Sequence, residues 1–163
     1  IEALQQQFEQ SLIRYAQIFF TSSLACEIVQ DTFLQVLQVL LQVQDLPQEN
    51  SLGPWLFRIC RNRAIDVQRK EKRMKSDSTS VLEAVLSDSS DPASIVSQRE
   101  TIQQLHNFLK DLSHNQQEVI RLKFQNGFSY KEIAEVTGLS VSNVGVHLHE
   151  AIQKVRSRLK PAH

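Results

Sequence analysis

The chain has 163 residues, 41% of them hydrophobic, which is enough for one packed domain or two small ones and excludes a broadly disordered protein. Four Gly and four Pro, with long stretches free of both, point to helices, and no run of about 18 apolar residues proposes a membrane span. Eighteen basic and eighteen acidic residues cancel, so any attraction to nucleic acid has to come from how the charges are distributed, not from their total.

Residues 1–57 hold one base, Arg14, against six acids. Leu4, Phe8, Leu12, Tyr15 and Phe19 recur every three or four positions, which predicts a first amphipathic helix. Val29, Phe33, Val36, Leu40 and Val43 predict a second, acidic near its start. Two Pro and one Gly between Asp45 and Pro54 predict a turn before a third helix that begins at Trp55. That helix becomes densely cationic: residues 58–75 carry eight bases and two acids, ending in RKEKRMK. A charge run of this kind is usually a solvated face, but with Asn62 and aromatic residues beside it, it is also suited to tracking a phosphate backbone. Trp55 itself is expected in the core.

Residues 76–98 carry four acids, no base and eight Ser, with Asp91-Pro92. Such a composition buries little apolar surface and predicts a linker, with one short helical turn at Val81, Leu82, Val85 and Leu86. The expected organisation is therefore an all-α protein of two small helical domains, 1–75 and 99–163, joined by an acidic, Ser-rich linker at 76–98.

In the second half, helices are expected near 94–110, 114–125, 129–137 and 140–160. Ser113 with Gln116, and Ser129 with Glu132, have capping-box spacing, and Ser140 is positioned to cap the last helix. Gly138 supplies a tight turn between the last two helices, and Val141, Val144, Leu148, Ile152, Val155 and Leu159 form an apolar stripe. The opposite face presents Ser142, Val146, His149 and Gln153, flanked by Asn143 and Glu150, and is the candidate for a DNA major groove. An ordinary helical hairpin with a solvated face is the plainer alternative. The hydroxyls of Ser129 and Tyr130 with Lys131, and Lys154, Arg156, Arg158 and Lys160 downstream, favour phosphate contacts. Asn143 suits adenine, Val146 a thymine methyl and Glu150 a cytosine amine. Gly145 costs roughly 1 kcal/mol of helix propensity relative to Ala, which fits either a close backbone approach or a tolerated weakness.

Cys26 and Cys60 are isolated and are expected as buried thiols of a reducing cytosol. The start at Ile1 fits a trimmed N-terminus, and no basic-then-apolar leader is visible, so a secretion signal is not expected. His147 and His149 lie two apart on a helix and point in different directions, so no shared metal is expected. No catalytic constellation and no cofactor site emerges.

Taken together, CEIVQDTFLQVL at 26–37, WLFRICRNRAIDVQRK at 55–70 and LSHNQQEVIRLKFQNGFSYKEIAEVTGLSVSNVGVHLHEAIQKVRSRL at 112–159 resemble regions 2.2, 2.3–2.4 and 4 of the bacterial sigma-70 family, in its small extracytoplasmic-function (ECF) group. The resemblance implies a non-enzymatic, cytoplasmic transcription factor without cofactor. Such a subunit binds core RNA polymerase, directs it to promoter DNA and assists melting. By the same resemblance Glu27, Gln30 and Asp31 face the β′ clamp helices. Asn62 and a loop at 48–52 hold a flipped −10 base, and Arg58, Arg61, Arg69 and Lys70 contact the −10 strand. Ser142, Asn143, Val146, His147 and His149 face the −35 groove. The acidic linker runs near the RNA path, region 4 holds the β flap, and an anti-sigma factor is able to cover these faces; no membrane insertion is implied. Many family members carry a basic run where this chain has Gly145, Val146 and His147. The alternative is a stand-alone LuxR-type regulator, which residues 113–159 also resemble; the first 75 residues discriminate, since they lack the pattern of a receiver or ligand domain.

Overall fold

The computed structural model describes residues 1–43, 45–77, 100, 103, 104 and 107–159. Their long regular elements are all helical: α1 (Glu2–Ala16), α2 (Ser22–Val43), α3 (Glu49–Asp77), α4 (His114–Phe124), α5 (Tyr130–Thr137) and α6 (Val141–Leu159). The fold is all-α, as the periodicity predicts. The expected linker beyond Asp77, with its turn at Val81 to Leu86, lies outside the described residues.

α1, α2 and α3 pack around one apolar centre because each turns an apolar stripe toward it. Leu12, Tyr15 and Ala16 come from α1, Ile28, Val29, Phe33 and Val36 from α2, and Leu56, Phe57, Cys60 and Ala64 from α3, all buried. Thr32 also enters this core, its hydroxyl donating to the Ile28 carbonyl at 2.7 Å so that no polar group is left unpaired.

Three expectations are corrected here. The turn expected up to Pro54 is shorter: α3 starts at Glu49, so the segment 48–52, expected as a loop, is mostly the first turn of that helix. Tertiary packing is the physical reason. Gly53 is buried, and a methyl group there would lie 3.4 Å from Phe128 Cε1 and 3.6 Å from Phe8 Cε1, ordinary contact distances, so two aromatic rings cover this turn. Pro54, close to the helix start, removes a single internal hydrogen bond. Secondly, Cys60 is buried but Cys26 is exposed, on the outer side of α2. Thirdly, Ser22–Gln42 of α2 has a mean hydropathy of 1.4 and by length and composition could cross a bilayer. Its apolar residues serve two different faces. One is buried in the bundle, and the other leaves Leu34 58% and Leu41 76% exposed.

The second half is built from its caps. Ser113 Oγ accepts from Gln116 N at 3.2 Å while Gln116 Oε1 accepts from Ser113 N at 3.1 Å. Ser129 and Glu132 repeat the arrangement at 3.1 and 3.3 Å, and Ser140 Oγ accepts from Asn143 N at 3.1 Å. These bonds satisfy N–H groups that a helix start leaves open. Gly138 ends α5 with φ 77°, a left-handed conformation that favours glycine, and so turns the chain into α6. Val119, Leu122, Ile133, Val136, Val144 and Leu148 close the core of this half.

The halves are packed on each other. α3 contacts α5, α1 contacts α4, and the buried residues of both form one apolar cluster. Phe57 meets Phe128 edge-on with ring centroids 5.2 Å apart, and Phe19 meets the His114 ring at 4.8 Å. Arg121 Nη1 donates to the Arg14 carbonyl at 3.3 Å, and burial pulls the Arg121 pKa below its ordinary value.

Burial also pushes the Cys60 thiol from 9.0 up to about 12. It raises the Tyr15 hydroxyl well above 10.0, with the Glu118 carboxylate adding to the effect. Both groups are acids whose folded pKa lies above the unfolded one. Their stabilising contribution is complete below the unfolded values and is lost as pH rises through the folded ones. Urea titrations from pH 9 to 12 are expected to show a loss of about 3–4 kcal/mol from Cys60, with Tyr15 steepening the fall above pH 10. Cys60→Ala should flatten the lower part of that slope; an unchanged slope in the variant would show that the thiol is not buried.

Candidate nucleic-acid interface

On α3, Arg58, Asn62 and Arg69 are spaced by four and seven residues, which sets them on one side of the helix, and all three are exposed. Lys70 is exposed on an adjoining flank. Arg61 differs: only 18% of its side chain is accessible, and its Nε donates to Glu118 Oε1 at 2.5 Å. The −10 set expected from the sequence is thus an exposed group of four, with Arg61 turned toward the other half of the chain. Trp55 is half-buried, and Phe57 fully so.

On α6, Ser142, Asn143, Val146 and His149 are exposed along the side opposite the buried Val144, Leu148 and Ala151. His147 is half-buried and its Nδ1 is shielded from solvent without a hydrogen-bond partner among the described residues. Ser129, Tyr130 and Lys131 at the start of α5 are exposed, although Ser129 Oγ is already engaged in capping. Lys123 Nζ lies 5.5 Å above the Tyr130 ring, which also covers Gly145. A methyl group at Gly145 would meet that ring at 3.6 Å, an ordinary contact, so the packing accommodates alanine and does not demand glycine.

Two residues assigned to DNA by their chemistry are occupied within the protein. Glu150 Oε2 accepts from Gln116 Nε2 at 3.0 Å, and Lys154 Nζ donates to Gln116 Oε1 at 3.0 Å. Glu150 is therefore a brace between α4 and α6 in this structure, where a cytosine contact was expected. Arg158 pairs with Asp111 and lies 6.0 Å from the Phe108 ring. Arg156 is exposed at the end of α6.

On α2, Glu27, Gln30 and Asp31 share one side of the helix by their spacing. Asp31 Oδ2 accepts from Arg63 Nη2 at 3.0 Å and Nε at 3.2 Å, yet 43% of its side chain remains accessible. The exposed Leu34, Leu37 and Leu41 continue along that same side, so an acidic end runs into an apolar stripe.

Between the halves sits Glu118, fully buried. Its Oε1 accepts from the Tyr15 hydroxyl at 2.5 Å as well as from Arg61, while Oε2 has no hydrogen-bond partner among the described residues and lies 3.9 Å from His114 Nε2. Among the described residues no group of three or more His, Cys, Asp or Glu is placed to hold a metal ion.

Comparison with known proteins places this geometry. The family described as "Sigma-70, region 4" matches residues 102–155. The RNA polymerase sigma factor YlaC of Bacillus subtilis is 27% identical over 98% of this chain and 91% of its own length. The ECF RNA polymerase sigma factor SigM of the same organism is 26% identical over 82% of this chain and 78% of its own. The two relatives match through both halves, and the family model through the second. The chain is similar to ECF sigma factors of the sigma-70 family along nearly its whole length. The structure of CnrH in complex with the cytosolic domain of CnrY superposes with a TM-score of 0.64 at 25% identity, covering 97% of this chain and 86% of that one. The sigma factor RpoE of Bartonella quintana, solved with the anti-sigma factor NepR, shares the fold over the full length of both chains, with a TM-score of 0.72 at 24% identity.

In this chain, two features went unread in the sequence. Leu34, Leu37 and Leu41 were hidden by the apolar richness of α2, although their offset from Val29, Phe33 and Val36 marks a second face. Glu118 looked like an ordinary helix-face acid. Its register was the available signal: it adjoins Val119 and precedes Leu122 by four residues, which sets a carboxylate on the buried side of α4.

Proposed function

We propose that this sigma factor binds core RNA polymerase through the outer face of α2 and directs it to promoters, with α3 engaging the melted −10 strand and α6 the −35 major groove. The observation that carries the reading is the match of sigma factors across 98% of the chain, which includes the first 75 residues that a LuxR-type regulator would need for a different domain. The LuxR-type alternative has no comparable support.

Glu27, Gln30 and Asp31 supply polar recognition of a basic partner helix, and Leu34, Leu37 and Leu41 supply the apolar area that gives such a contact its affinity. Arg58, Arg69 and Lys70 neutralise phosphates, leaving Asn62, with donor and acceptor on one amide, to hold an unstacked base. Arg61 joins them once released from Glu118. Ser142, Asn143, Val146 and His149 read base edges, His147 supports them from the flank, and Ser129, Tyr130 and Lys131 fix the register on phosphates. In this role the protein works in the cytoplasm, does no chemistry of its own and needs no cofactor. The two domains would be residues 1–75 and 99–163, with 76–98 as the linker. Anti-sigma control, as in the complex of RpoE with NepR, fits the same exposed faces.

The test is reconstituted transcription. Purified core polymerase with this protein is expected to start discrete transcripts on fragments of its own genome, and core alone none. The absence of any specific start with the added protein would defeat the reading.

A further inference from the structure

Glu118 is a carboxylate taken wholly out of water, an arrangement that costs several kcal/mol unless it is well paired. It is only half paired. Tyr15 from α1 and Arg61 from α3 both converge on Oε1, whereas Oε2 is left without a hydrogen bond among the described residues. Both hydrogen-bond donors come from the other half of the chain, and only His114, 3.9 Å from Oε2, faces it from its own helix, so the residue serves the contact between halves more than the core of its own. Arg61, for its part, belongs to a helix whose exposed cations are arranged for phosphates. Its guanidinium is met here by an oxyanion at 2.5 Å.

The closed arrangement has a geometric consequence. α3 packs on α5, and α5 on α6. Two helix-packing steps of about 10 Å each therefore separate the axes of α3 and α6. Elements centred near −10 and −35 lie some 25 base pairs apart, about 85 Å along a straight duplex. Helices of 29 and 19 residues, roughly 44 and 28 Å long, do not bridge that distance while packed through α5. Engagement of both elements requires the halves to part, and parting strips Glu118 of both its donors.

We infer that Glu118 is an intramolecular stand-in for a nucleic-acid phosphate: in the free chain it occupies Arg61 and, with Tyr15, latches the two halves together until binding displaces it. This rests on the promoter-binding reading above. Arg61 exchanges one oxyanion for another on opening, so the arginine loses little. The cost of opening falls on Glu118 and Tyr15, which pass to water. Oε2, which has His114 nearby but no hydrogen bond among the described residues, weakens the closed state, leaving a latch that binding energy is able to open.

The experiment uses the full chain as wild type, Glu118→Gln and Tyr15→Phe, with small-angle X-ray scattering for the separation of the halves. Fluorescence anisotropy with a short labelled single-stranded DNA of mixed sequence reports the availability of Arg61. The wild type is expected to be compact. Glu118→Gln should expand and bind the strand about tenfold more tightly, in proportion to the open fraction gained, and Tyr15→Phe should shift both readings the same way by about twofold. Adding Arg61→Gln to Glu118→Gln should cancel the gain in binding. Tyr15→Phe removes a single hydroxyl, so it reads the latch even where Glu118→Gln disturbs folding. Equal compaction and equal binding in all three proteins would overturn the latch. Expansion of the variants without any strand binding would count against the promoter reading and remove the stand-in role with it.

Discussion

Phe57→Ala is expected to lower the unfolding free energy by about 3–5 kcal/mol, measured by urea denaturation. The ring is 1% exposed and lies between Tyr15 and Phe128, with centroids 5.2 Å from each. Those neighbours come from opposite halves, so truncation both empties a core site and removes an aromatic contact across the interface. A single unfolding transition in the wild type that splits into two in the variant would follow from the same position. A loss under about 1 kcal/mol would mean that Phe57 is not enclosed as described.

The second expected result separates two partners. Leu34→Glu with Leu41→Glu should reduce capture of core polymerase by about 100-fold, because two charges are placed in the centre of an apolar contact. Arg58→Glu with Arg69→Glu should leave capture intact and reduce promoter-dependent transcripts by about 100-fold, since two proposed phosphate contacts would become repulsions. All four side chains are exposed, so the fold should survive both changes. Capture by immobilised polymerase and run-off transcription read the two effects independently. Loss of capture in the arginine pair, or its survival in the leucine pair, would reject this division between α2 and α3.

How far the sequence foretold the structure depends on how local each cause is. Ser113 and Gln116, Ser129 and Glu132, and Gly138 act within one turn of helix, and the structure has each in its expected role. The stripes of α1, α2 and α6 are equally local, and they place the core, although Val141 and Leu159 at the two ends of the α6 stripe are exposed. The start of α3 was misread because Gly53 and Pro54 ordinarily break helices, while what holds this turn is Phe8 and Phe128, one of them 75 residues away. The same limit applies to Glu118. Its partners stand 57 and 103 residues earlier in the chain, and no periodicity brings them to mind. Asn62, Arg58 and Arg69 were legible as a face because spacing along one helix defines it. The withdrawal of Arg61 from that group was not, since it depends on how the halves meet.

The bond from Gln116 to Glu150 and its neighbour from Lys154 to Gln116 tie the last helix to α4 from the flank. Ser142, Val146 and His149 stand clear of that brace. The proposed reading surface could therefore be rewritten without loosening the mount that would aim it. For an evolving lineage, or for a designer seeking a new promoter preference, those exposed positions are free to vary. Gln116, which bonds to Glu150 and Lys154 away from the proposed reading face, is the one whose replacement would tilt that face as a whole.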